Sequence, residues 1–162
     1  MQEEAEAFQR AAEAYCRWAE AEAASEQEEA QTAVRLLASL LHEIHGLPAG
    51  QAEDLPEHDI LLKGESTRAI YKRFGALPFQ YYFDVFHPTH VPPEPADAGD
   101  LADDLMDIYV DLKQGLAYAS AGHVSQAVFH WQFMFGVHWG RHAVGALRAL
   151  HCHLTEPVGE HP

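Results

Sequence analysis

Residues 99–116 read "GDLADDLMDIYVDLKQGL", and the spacing of their aspartates constrains the fold more tightly than any other feature of the chain. At about 100° per residue, Asp100, Asp104, Asp107 and Asp111 fall in one narrow helical stripe, with Asp103 beside it. Leu101, Leu105, Ile108, Leu112 and Leu116 form a separate stripe, displaced by roughly a third of a turn or more. Met106, Val110 and Ala117 flank the acids on their other side. Such a helix is apolar over most of its girth and must be covered on several sides. Its stacked like charges repel, so a counter-charge is expected from a neighbouring element.

Residues 123–154 can supply that counter-charge. They read as one long helix, apolar around most of its circumference, with a polar strip of His123, His130, Arg141 and Arg148. His138 lies next to that strip and His142 further round. An antiparallel hairpin turning near Ala121 and Gly122 sets His138 between Asp104 and Asp107, because both helices rise equally per residue. Arg141 and His142 then come level with Asp100 and Asp103, and Asp111 falls between His130 and Met134. The polar seam so defined comprises Asp100, Asp103, Asp111, His130 and Arg141 around a core of Asp104, Asp107, His138 and His142.

The remainder of the chain is also helical by pattern. Residues 3–23 are rich in Ala and Glu, with Phe8, Ala12, Tyr15 and Trp18 near helical spacing. Residues 25–48 open with a capping-box pattern, Ser25 and Glu28, and close with Gly46 and Pro48. Residues 47–64 read as a long connection, and a third helix from Ser66 is broken at Leu77 and Pro78 into two short pieces. Four prolines in "HPTHVPPEPADAGD" exclude a helix there, leaving a Pro-rich loop over residues 87–99. The expected fold is all-α: a single-domain antiparallel helical bundle over residues 1–162, with a broken third helix, a long, largely apolar C-terminal helix and a polar tail from about residue 155.

Composition narrows the function classes. Of the 162 residues, 48% are hydrophobic, enough to bury a core of one domain. The net charge of −15 opposes binding to nucleic acid or an anionic membrane and favours a basic protein partner. Self-association is left open. The N-terminal residues lack the basic and apolar regions of a secretory signal, and no run approaches a membrane span, so a cytoplasmic location is expected. Cys16 and Cys152 form no ligand or disulfide pattern.

Two chemistries fit the seam. Imidazolium and guanidinium groups can neutralise the aspartates and set helix register. Alternatively, His138 and His142, at i and i+4, converge on one ion with Asp104 and Asp107 opposite, a mixed nitrogen and oxygen shell suited to Zn, Mn or Fe. HxxxH alone is a short pattern, and the ion-pair reading leads. His42 and His45 could join the pair in a three-histidine site resembling that of DinB-type four-helix metalloenzymes, although ordinary surface or cap histidines explain them better. The aromatic residues Phe129, Trp131, Phe133, Phe135 and Trp139 read first as core.

"YKRFGALPFQYYFDVFHP", "LADDLMDIYVDLKQGL" and "HWGRHAVGALRALH", in that order, resemble an uncharacterised bacterial family of domains of unknown function, number five thousand and sixty-three. The resemblance spans roughly residues 5 to 155. It implies a small helical protein whose characteristic residues are Asp103, Asp104, Asp107, Asp111, Trp131, His138, Trp139, Gly140 and His142. It implies no activity, substrate or cofactor. The reading that follows is a protein-binding adaptor or regulatory domain. The alternative is a divalent-metal hydrolase acting on a nucleotide or phosphoester, with Asp103 or Asp111 activating water.

Overall fold

The computed structural model describes residues 2–55 and 64–156. In these residues six helices and one β-hairpin follow the order α1 (Gln2–Glu20), α2 (Glu26–Ile44), α3 (Gly64–Phe74), β1 (Tyr81–Asp84), β2 (Asp97–Asp100), α4 (Leu101–Ser120), α5 (Val124–Val137) and α6 (Trp139–Thr155). Residues 157–162, with most of the expected polar tail, and residues 56–63 of the connection after α2 lie outside the described residues.

Helical spacing of apolar residues accounts for the bundle. Phe8, Ala12, Tyr15 and Ala19 of α1 recur at i, i+4, i+7 and i+11, and all are fully buried. The same spacing places Trp139, Ala143, Ala146 and Leu150 of α6 in the core. The sequence signal at the start of α2 is realised as a capping box, with the Ser25 side chain on the Glu28 N–H and the Glu28 side chain on the Ser25 N–H. α4 is central: it packs against α1, α3, α5 and α6, while α2 packs on α1 and α6. The side chain of Asp100 caps α4 through the N–H groups of Ala102 and Asp103.

Two elements differ from the helical expectation. The segment after Pro78 is not a second helical piece but strand β1, paired antiparallel with β2 in the register Tyr81↔Asp100 to Asp84↔Asp97. Proline blocks helix continuation, and the aromatic run after it suits an extended, half-covered strand. Tyr81 and Phe83 therefore face outward, 61% and 74% exposed, while Tyr82 turns toward the bundle. β2 takes the last residues of the Pro-rich segment, so the loop proper is confined to residues 85–96.

The C-terminal helix is likewise two helices, interrupted at His138, whose φ of −142° and ψ of −88° are not helical. A Cβ on Gly140 would sit 2.3 Å from the Phe135 carbonyl oxygen, so only glycine permits so tight a break. Trp131 and Trp139 on either side of the break are buried as expected, but Phe133 is 53% exposed and does not belong to the core.

Candidate metal centre

The break at His138 decides which groups meet. Near the hairpin turn, where Gly122 adopts φ of +92°, the expected level pairing holds: His130 Nε2 donates to the Asp111 carbonyl at 3.1 Å, and Trp131 Nε1 to the Leu112 carbonyl at 3.3 Å. Beyond the break α6 lies about one helical turn closer to the hairpin end than a continuous helix would place it. His138 Nδ1 then reaches Asp111 Oδ2 at 2.7 Å, and His142 Nδ1 reaches Asp104 Oδ1 at 2.7 Å. His138 is therefore held by Asp111, one turn beyond the level expected for it, and His142 by Asp104 instead of Asp100 and Asp103.

Asp107 sits between the two imidazoles. Its Oδ2 is 3.6 Å from His138 Nε2 and 3.6 Å from His142 Nε2. Those separations are too long for hydrogen bonds. They match the edges of a coordination shell, since two bonds of about 2.1 Å at a near-tetrahedral angle separate their ligand atoms by roughly 3.4 Å. One donor atom from each of Asp107, His138 and His142 lies within 4.8 Å of the others. The ring centroids are 4.9 Å apart and the ring planes inclined by 78°, so both Nε2 atoms can face one point.

The layer behind these three residues is built from buried carboxylates. The side chains of Asp111 and Asp104 are 8% and 10% exposed, against 38% for His138 and 26% for His142 and Asp107. Donation from Nδ1 to a carboxylate leaves Nε2 as the free lone pair of each neutral imidazole, the arrangement that orients ligand histidines. Tyr82 extends the layer by donating its hydroxyl to Asp104 Oδ2 at 2.5 Å. Burial and this hydrogen bond hold the Tyr82 phenol well above its ordinary pKa, so it stays a donor.

Charge in the patch favours a cation. Burial raises the carboxyl of Asp111, with the hydrogen bond from His138 opposing it. The hydrogen bond to Asp104 raises His142 despite its partial burial. Partial desolvation of the Asp103 carboxyl, and the neighbouring charges of Asp107, Asp100 and Asp104, raise its pKa as well. Asp103, Asp104, Asp107 and Asp111 outnumber the two histidines, so the patch stays negative even with both imidazoles protonated.

The other residues of the expected seam lie apart from this group. Asp100 caps α4 and accepts from the Tyr71 hydroxyl at 3.0 Å. Arg141 is exposed and has no ion pair among the described residues. Burial lowers the pKa of His130, with its hydrogen bond to the Asp111 carbonyl opposing the shift. His45 places its ring against Phe135, and neither it nor His42 joins a possible ligand group among the described residues. Sequence reasoning missed Tyr82. Its one trace there is the alternation of an aromatic strand, which sets it on the face opposite Tyr81 and Phe83.

A helical bundle with a His₂Asp cluster facing solvent, backed by carboxylates on buried positions, is the class that fold and site define. The chain belongs to the family described as a domain of unknown function (DUF5063), whose model matches residues 1–156. The crystal structure of protein BF1032 from Bacteroides fragilis is similar in fold, with a TM-score of 0.74 and 20% identity over 92% of this chain and 93% of that one. The comparison with curated proteins finds no match. Among the described residues no helix is long and apolar enough to cross a membrane.

Proposed function

We propose that Asp107 Oδ2, His138 Nε2 and His142 Nε2 bind one divalent transition-metal ion, Zn, Mn or Fe, and that the chain is a cytoplasmic metal-dependent hydrolase of a nucleotide or another phosphoester. The observation that carries this reading is the position of Asp107 Oδ2, equidistant from two Nε2 atoms whose rings are already held through Nδ1. At 3.6 Å from both rings Asp107 lies within ion-pair range and beyond hydrogen-bond range of either, shared equally between them. Three protein ligands with the remaining positions open to solvent is the pattern of catalytic sites, not of closed structural ones. A bound ion would supply Lewis acidity and lower the pKa of a water. Asp103, with its raised pKa, is the proton acceptor at the rim. Asp104 and Asp111 are positioning residues, and Asp104 leaves the ligand set expected from sequence because both its oxygens are engaged by His142 and Tyr82.

Elemental analysis of tag-free protein purified without chelator tests the reading. Near-stoichiometric Zn, Mn or Fe is expected, lost in His138→Ala and in Asp107→Asn. Absence of metal, together with no melting shift on adding these ions, would overturn it.

A second reading, a protein-binding adaptor for a basic partner, is favoured by the outward Tyr81 and Phe83 on β1. It requires salt-sensitive capture of a basic protein that is lost in Phe83→Ser and indifferent to His138→Ala.

A further inference from the structure

The loop between β1 and β2 carries a second cluster of metal-binding groups, separate from α4 and α6. His90 N–H closes a turn on the His87 carbonyl at 3.1 Å, which brings the two imidazoles side by side. Their rings stack at 4.6 Å with an interplanar angle of 12°. Both Nδ1 atoms point at one carboxylate: His87 Nδ1 lies 2.9 Å from Glu94 Oε2, and His90 Nδ1 lies 2.7 Å from Glu94 Oε1. One donor atom from each of the three residues falls within 4.8 Å of the others.

An ion-pair account of this cluster is incomplete. Two imidazolium rings stacked in contact repel each other, so the charged pair that Glu94 would need is opposed by its own geometry. Two neutral imidazoles donate Nδ1–H to the two Glu94 oxygens; with those protons moved to Nε2, two nitrogens and a carboxylate oxygen within 4.8 Å of one another make the donor set of borderline divalent ions. Pro88, Pro92 and Pro93 restrict the backbone that joins the donors. Less conformational entropy is therefore lost when an ion orders them.

We propose that His87, His90 and Glu94 form a second divalent-metal site, for Zn, Cu or Ni, on the hairpin loop. Binding through Nδ1 moves the proton of each neutral ring to Nε2, so no net proton is released near neutral pH, and affinity falls as acid protonates the rings. An ion held there staples residues 87–94 and stiffens the hairpin whose first strand carries Tyr82.

The test is Zn²⁺ titration of the full-length, tag-free chain by calorimetry, with long-range ¹H–¹⁵N spectra of the imidazoles. Zn²⁺ is expected to shift the Nδ1 signals of His87 and His90. The double variant His87→Ala, His90→Ala should lose one bound ion per chain while keeping its melting temperature, since the loop is exposed. Glu94→Gln should weaken the same ion at least tenfold. Unshifted signals, or an unchanged stoichiometry in the double variant, would overturn the proposal. A chain that loses its ion on His138→Ala and binds none through the loop overturns this site and leaves the α4–α6 site standing; the converse result separates them the other way.

Discussion

His142 and His130 each hydrogen-bond to a group of α4 yet are pushed in opposite directions. The Asp104 hydrogen bond raises the folded pKa of His142 above the ordinary 6.5, while burial lowers that of His130. In metal-free protein, the stabilising contribution of His142 is full below its unfolded pKa and disappears as pH rises through the raised folded value. His130 has the reverse sign: its contribution is full above the unfolded pKa and is lost as pH falls through the lowered folded value. Urea unfolding should therefore find His142→Gln more damaging at about pH 5.5 than at about pH 8.5, and His130→Gln the opposite. Bound metal inverts the His142 profile, because a ligand imidazole must be deprotonated. Asp104→Asn and Asp111→Asn should each weaken metal binding by about 10–100-fold, since they remove the groups that orient His142 and His138. Competition with a chromogenic chelator measures that loss. Retained affinity in both variants would mean that the histidines are positioned by packing alone.

Among the elements, close approaches at glycine set the distances between helices. A Cβ on Gly115 of α4 would lie 2.0 Å from Trp131 Nε1 of α5, and Trp131 is buried with no room to retreat. Gly115→Ala should cost about 1–3 kcal/mol, read by denaturant unfolding with tryptophan fluorescence. Gly145 of α6 has a more specific task, because a Cβ there would lie 2.6 Å from the Tyr82 hydroxyl. Gly145→Ala is expected to push Tyr82 off Asp104 and to weaken metal binding in parallel with Tyr82→Phe, whereas Gly115→Ala should act on stability before affinity. A Gly145→Ala protein with unaltered metal affinity would separate the β-hairpin from the site. The periods of α1, α2 and α4 are legible in the sequence because each buries one continuous stripe. The break in "VHWGRH" is not, because no proline marks it and the residues on both sides keep a helical pattern.

For the molecule as a whole, the candidate ion ties α4 to α6 within a chain of net charge −15. Metal that binds only the folded state should stabilise it by about 2.7 kcal/mol at a free concentration of 100 Kd. For a chain of this size that corresponds to a Tm increase of roughly 2–4 °C per kcal/mol. The increase should appear on adding Zn²⁺ to the apoprotein and collapse in His138→Ala. An equal increase in that variant would place the stabilising ion elsewhere, with His87, His90 and Glu94 the first residues to examine.

The spacing of residues along single helices was legible in the sequence: the acidic stripe of α4, the capping group Ser25, the helical class of the domain, and Asp107, His138 and His142 as groups able to converge. Each of these follows from a repeat of about 3.6 residues or from a local hydrogen bond, which neighbouring residues specify by themselves. The tertiary structure decided the rest. Extended backbone after Pro78 becomes a strand only because residues 97–100 return to pair with it, and Tyr82 acquires a role only because that pairing aims it at Asp104. The exchange of partners, Asp111 for His138 and Asp104 for His142, arises from a one-residue break that advances α6 by about one turn. Which nitrogen meets which oxygen depends on the rigid-body placement of packed helices, to which a helical period, being local, is blind.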